Sequence, residues 1–109
     1  MFLYQAPRNV VHFIVNESSI HVKWDLPKRM DGIKVFVVRA IDSYLRTIKD
    51  DGERLCLADK YHTECTLTGL RSSTTYLVTV KSCDGINTDN AVICSRDVNF
   101  YERTPDHGE

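Results

Sequence analysis

No stretch of this chain is apolar for long enough to cross a membrane as a helix. The longest uninterrupted runs, such as Val35 to Val38, fall far short of the ~20 residues a span needs. Met1-Phe-Leu-Tyr4 lacks the length and basic start of a signal peptide. The expectation is therefore a mature segment, with Met1 supplied for expression; whether it is cut from a longer chain stays open. The chain also lacks a charge excess: its formal net charge is −1, so no whole-chain field draws nucleic acid or anionic lipid to it. Patterns that carry chemistry are missing too. There is no G-x-S-x-G, no phosphate-binding loop and no dinucleotide-binding glycine run, which removes the usual hydrolase and nucleotide readings. No C-x-x-C pair occurs, so zinc-knuckle and thioredoxin-like sites lack their spacing. His12, His21, His62 and His107 show no i, i+4 helical spacing and read as surface or rim side chains. Asp31, Asp50 and Asp51 sit in turns, where aspartate is common, and a calcium site needs more oxygen ligands together. Ser72-Ser73 belongs to a corner and not to a nucleophile elbow. Arg-Gly-Asp is absent, and Asp51-Gly-Glu-Arg54 reads as turn residues. The expectation is a protein that is not an enzyme, with no metal and no cofactor.

What is present is a set of strands. The 109 residues suit one domain, with 42% hydrophobic residues for a core and 27% charged residues for a wet surface. A helical period is not sustained anywhere, whereas a period of two recurs. Ser18 to Asp25 is the cleanest case: Ile20, Val22 and Trp24 share one face, and Ser19, His21, Lys23 and Asp25 share the other. Tyr76, Val78 and Val80 alternate with Leu77, Thr79 and Lys81 in the same way. Further strands are expected over Pro7 to Val15, Ile33 to Ile41, Glu53 to Ala58, Thr63 to Thr68 and Ala91 to Arg103. The parity of the first is blurred, so the side His12 faces stays open. Ser43 to Ile48 fits a short strand or a packed loop. Turn residues separate these runs, among them Asn16 to Ser19, Leu26 to Gly32, Asp50 to Gly52 and Asp84 to Asn90. Short strands at this spacing give an all-β sandwich or barrel.

Both parities of Ile33 to Ile41 are apolar. Ile33, Val35 and Val37 lie on one, Phe36 and Val38 on the other. Either the strand is central or one face is a contact surface. Phe36 and Val38, with Leu77 and Tyr101 on neighbouring strands, are the expected outward cluster, covered or not by Tyr44 to Ile48. A second candidate surface is the loop rim. There Lys28, Arg29 and Met30 offer charge and an adaptable apolar side chain, and Tyr61 an aromatic anchor.

The four cysteines, Cys56, Cys65, Cys83 and Cys94, are even in number and flanked by turns, as in disulfide-bonded proteins of an oxidising compartment. Four cysteines allow three pairings, and the sequence does not choose between them. Short separations favour Cys56 with Cys65 and Cys83 with Cys94. Each bridge would close a loop of about ten residues and stabilise by roughly 2–3 kcal/mol. Asn16-Glu-Ser18 is a glycosylation candidate in a surface turn.

Trp24 on the second strand, the Leu-Pro after it, the Gly69-Leu70 corner and Thr74-Thr-Tyr76 together resemble a fibronectin type III domain. Pro7 resembles the family's opening proline and Val22-Lys-Trp24 its strand B. Gly32 to Val37 resembles strand C, and Leu67-Thr-Gly-Leu70 through Val80 the strand E corner and strand F. Arg103-Thr-Pro105 resembles the closing strand. An immunoglobulin domain wants one cysteine before the tryptophan and another two residues after the corner tyrosine. The first cysteine here is Cys56, and position 78 is Val78. The resemblance implies a seven-stranded immunoglobulin-like β-sandwich of type III topology over residues 7–105, with residues 1–6 as an N-terminal extension and 106–109 as a tail. It implies strands A, B and E against C, C′, F and G. Cys56 and Cys65 would then lie at one open side, where a bridge would tie the sheets together. Trp24, Leu70 and Tyr76 would be structural, with the Tyr76 hydroxyl turned back onto the preceding corner. The function it implies is that of an extracellular, non-catalytic module of a receptor or adhesion protein, whose partners are a protein ligand or neighbouring extracellular domains. A secreted inhibitor or antigen, or a spacer without a ligand, are the alternatives. Nucleic acid and membrane insertion are not expected.

Overall fold

The computed structural model describes residues 3–44, 53–86 and 92–107. Within them lie seven strands: β1 (Arg8–Asn16), β2 (Ser19–Asp25), β3 (Val35–Asp42), β4 (Glu53–Asp59), β5 (Glu64–Leu67), β6 (Thr75–Cys83) and β7 (Val98–Arg103). They form two antiparallel sheets. One has the order β1-β2-β5 and the other β4-β3-β6-β7. This is the three-against-four sandwich that the resemblance implies.

The core is the space between the sheets. The alternation in β2 puts Ile20, Val22 and Trp24 there, and that in β6 puts Tyr76, Val78 and Val80 there, each 3% exposed or less. Strand β3 supplies Phe36, Val38 and Ala40. The Trp24 and Phe36 rings meet across the gap at 5.4 Å, tilted by 55°, a tilted aromatic contact that adds to area burial.

Phe36 and Val38 are thus core residues, both 0% exposed, and not the outward cluster expected from the sequence. The register decides the matter. Phe36 sits beside Ala58 and Ser82, and Val38 beside Cys56 and Val80, all on the inner parity of the sheet. Arg39 shares the parity of Val35 and Val37, and a charged side chain belongs on the wet face. That residue was the usable signal. The last strand also differs from expectation: it begins at Val98 and not Ala91. Cys94 forms only an isolated bridge with Cys83, and the Ser95 hydroxyl turns to the Arg96 carbonyl at 2.9 Å between that bridge and β7. Strand β3 starts at Val35, because Ile33 ends a turn closed by its N–H on the Met30 carbonyl at 3.0 Å.

Two side chains pin the corner before β6. The Tyr76 hydroxyl accepts the Arg71 N–H at 2.8 Å. The Thr104 hydroxyl donates to the Arg71 carbonyl at 2.6 Å and accepts the Thr74 N–H at 3.0 Å. Gly69 at φ +69° makes the bend where an L side chain would be strained. Thr104 is 1% exposed, so Thr104→Val leaves a buried N–H and C=O without that partner. The expected loss is about 1–3 kcal/mol in urea unfolding. Thr104→Ser, which keeps the hydroxyl, recovers most of it.

Both disulfides are formed, Cys56–Cys65 and Cys83–Cys94. The first joins β4, an edge of the larger sheet, to β5, an edge of the smaller one. It therefore closes one open side of the sandwich. The second spans the base of the segment after β6, with an Asp84 N–H to Ile93 carbonyl bond of 3.0 Å beside it. The other open side is held by His12. Its ring faces inward, stacks on Phe100 at 3.8 Å and meets Glu102 through Nδ1 at 2.6 Å.

Candidate functional site

The outer face of the larger sheet follows from parity. Whatever alternates with the core residues of β3, β4 and β6 points to solvent. Three rows of neighbours result. Leu57, Val37 and Lys81 form one, Leu55, Arg39, Thr79 and Asn99 the next, and Glu53, Ile41, Leu77 and Tyr101 the third. The rows differ in chemistry. The middle one is polar, with Arg39 Nε on Glu53 at 3.0 Å and Thr79 Oγ1 on Asn99 at 2.9 Å. The outer two are mainly apolar, with one charged residue each, Lys81 and Glu53.

At the Cys83–Cys94 end the first row opens into a groove of about 520 Å³. Val37, Leu55, Leu57, Ile86 and Val92 give it apolar walls, the disulfide forms part of its lining, and Arg39 and Lys81 bring charge. Leu55, Leu57 and Ile86 are 55%, 46% and 58% exposed. Three large apolar side chains half open to water, side by side, are unlike the scattered surface leucines of an ordinary soluble protein. Lys81 has no ion-pair partner among the described residues. The sequence carried a signal for this groove. In Glu53-Arg-Leu-Cys-Leu-Ala58, turning Cys56 inward to reach Cys65 turns Leu55 and Leu57 outward.

The expected site residues fall into separate places. Leu77 and Tyr101 are neighbours on the outer face, in the row away from the groove, and Tyr101 is 58% exposed. Phe36 and Val38 lie on the opposite side of that sheet. Lys28 and Arg29 are exposed in the β2–β3 loop, whereas Met30 packs on the core. Lys28 lines a shallow recess with Tyr4, Arg8 and Arg96. Tyr61 is 78% exposed in the β4–β5 turn with Lys60 Nζ 5.3 Å from its ring centre. The loops after β2, β4 and β6 meet at one end, where Val35 pairs with both Asp59 and Cys83. Asn16 is exposed at the end of β1, where its Oδ1 accepts the Ser18 N–H of the following turn at 2.9 Å. Of the segment expected to cover the sheet, Tyr44 is 91% exposed, and residues 45–48 lie outside the described residues, as do Asp50 to Gly52 and Asn87 to Asn90.

The loop end has its own electrostatics. The His62 ring beside Asp59, at 2.6 Å, and then the Tyr61 N–H hold the Asp59 carboxyl below its ordinary value. Tyr4 is pushed above the usual tyrosine value, first by burial and then by its bond to Asp84. Its ring lies so close to Gly32 that an added Cβ would sit 2.7 Å from Cε1, and Gly32 also has φ +83°. The N-terminal segment is thereby docked on the β2–β3 and β6–β7 loops. Among the described residues no three His, Cys, Asp or Glu side chains gather as metal ligands, and no helix is long and apolar enough to cross a membrane.

Among solved structures, the chain superposes on a computationally redesigned β-sandwich protein with a TM-score of 0.71 at 20% identity, over 98% of this chain and 96% of that one. The type III domain of the human collagen α-1(XX) chain matches with a TM-score of 0.69 at 18% identity, over 96% and 89%. A type III domain of human contactin 1 matches with 0.66 at 16%, over 97% and 83%. At these identities the likeness concerns the fold. No curated protein matches the sequence significantly. The sequence profile of the fibronectin type III domain matches residues 5–93. With the three-against-four topology, the Trp24 core and the Tyr76 corner, the chain belongs to the fibronectin type III family.

Proposed function

We propose that this chain is a non-catalytic, extracellular protein-binding module of a receptor or adhesion protein, with residues 7–105 as the domain, 1–6 as an extension and 106–109 as a tail. It engages its partner through the outer face of the β4-β3-β6-β7 sheet. The observation that carries the reading is the groove in which half-exposed Leu55, Leu57 and Ile86 flank the buried Val37 beside Lys81. Apolar walls supply affinity, and an unpaired lysine selects a partner that places a carboxylate next to an apolar side chain. The type III fold, a module common in adhesion and receptor proteins, supports this role, and two disulfides fit an oxidising compartment. Loops on a rigid sandwich add a second contact zone, with Tyr61 as its anchor.

Labelled protein applied to cell surfaces and extracellular matrix should bind saturably. Leu57→Asp should weaken that binding by about tenfold or more while thermal stability barely moves, because Leu57 is already half in water. Phe36→Ala cannot serve this purpose, since it opens a cavity in the core. Absence of saturable binding would instead fit a spacer, and binding indifferent to Leu57→Asp would remove the groove from the reading.

A further inference from the structure

A sandwich of two open sheets has four edge strands, and here three of them are blunted. Strand β5 is four residues long and carries Glu64. Strand β4 carries Glu53, Arg54 and Asp59, and is stapled to β5 through Cys56. Strand β7 carries Glu102 and Arg103. Charge, shortness and cover are the ordinary defences against edge-to-edge pairing. Strand β1 has none of them along its middle; its register shifts lie towards its ends, between Arg8 and Val11 and between Ile14 and Asn16, and leave Val11 to Ile14 in unbroken register. From Val10 to Val15 it holds no proline, lysine, arginine, aspartate or glutamate. Its one titratable side chain there, His12, is turned inward onto Phe100 and Glu102. Outward it shows Val11, Phe13 and Val15, which are 54%, 50% and 52% exposed. Among the described residues only β2 pairs with it, and its far side meets no other strand.

The order of residues matters as much as their polarity. Val11-His-Phe-Ile-Val15 reads almost alike in both directions. In an antiparallel pair centred on Phe13, Val11 faces Val15 of a second copy, and Phe13 faces Phe13 of that copy. All outward positions are then apolar against apolar. The flanks carry opposite charge as well: Arg8, whose Nε donates to the Leu26 carbonyl, lies at one end and Glu17, which meets His107 Nδ1 at 2.7 Å, just beyond the other, and antiparallel pairing brings the Arg8 end of each copy to the Glu17 end of its mate. A two-fold axis through Phe13 satisfies the requirement that a symmetric interface be self-complementary. We propose that the chain self-associates through β1, two copies pairing antiparallel about Phe13. The smaller sheets then join into one continuous sheet with three strands from each copy. This surface lies on the other sheet from the groove, so the two readings succeed or fail separately.

Sedimentation velocity of the disulfide-intact chain, from micromolar to submillimolar concentration, tests it. Rising concentration should shift the protein from monomer to dimer. Phe13→Lys and Val15→Lys should each raise the dissociation constant by about tenfold or more, while the monomer's thermal stability holds, because both side chains face solvent. Hydrogen exchange should show those amides between Val11 and Val15 that point away from β2 gaining protection with concentration in the wild type and not in Phe13→Lys. A monomer at every concentration overturns the proposal. So does a dimer that survives Phe13→Lys, or one that forms without protecting β1.

Discussion

Trp24→Ala should cost about 3–5 kcal/mol in urea unfolding, while Trp24→Phe should cost only about 1–1.5 kcal/mol. Trp24 is 3% exposed and spans the gap between the sheets onto Phe36. Alanine leaves that gap empty, and the surrounding residues are held by two sheets that cannot close in freely. The modest cost of phenylalanine rests on a particular feature. The indole Nε1 is buried and has no hydrogen-bond partner among the described residues. Removing it breaks no bond and deletes a polar atom that is costly to bury. A domain of this size has about 5–15 kcal/mol in hand, so the alanine variant loses a large share of it. Circular dichroism must report the unfolding, because the substitution removes the chain's one tryptophan. A phenylalanine variant as unstable as the alanine variant would show that the indole makes an interaction its geometry does not reveal.

Removing both disulfides should cost about 5 kcal/mol in total. Each closes a short loop, with sequence separations of 9 and 11 residues, and constraint of the unfolded chain is worth about 2.7 kcal/mol for loops of that length. The two bridges lie on opposite sides of the larger sheet, Cys56 on the inner parity with Val38 and Cys83 on the outer parity with Val35. Their effects should therefore add. They should differ in kind, however. Cys56→Ala/Cys65→Ala releases the β4–β5 side, so hydrogen exchange should rise there first, while the pairing of β4 with β3 still holds Leu55 and Leu57 in the groove wall. Cys83→Ala/Cys94→Ala removes part of the groove's lining, so partner binding should fall along with stability. Denaturant titration of the two double variants, each paired with the binding measurement, separates the roles. Equal loss of binding in both would tie the groove to global stability and not to its own wall.

Much of this protein was legible in one dimension. Ile20, Val22 and Trp24 announced a buried face because their alternating neighbours are polar. Tyr76, Val78 and Val80 did the same beside a corner rich in turn residues. A period of two, punctuated by turns, indicated an all-β sandwich or barrel, and the resemblance carried by Trp24, Tyr76 and Val78 selected the type III sandwich over the immunoglobulin one. The cysteine count indicated disulfides without choosing their partners.

The face each ambiguous strand presents was decided only in three dimensions. In β3 both parities are apolar, so alternation does not distinguish inside from outside. Pairing with β4 and β6 sends Phe36 and Val38 to the core and Val35, Val37 and Arg39 outward. In β1 the consecutive apolar residues hide the parity in the same way. The left-handed Asn9 and the register shift after Arg8 set it, turning His12 in and Val11, Phe13 and Val15 out. The groove follows the same logic, since Leu55 and Leu57 became surface residues only once Cys56 had to reach Cys65. A sequence fixes which side chains share a face of a strand. Which of the two faces is buried depends on register and on what another sheet, distant in the chain, lays against it.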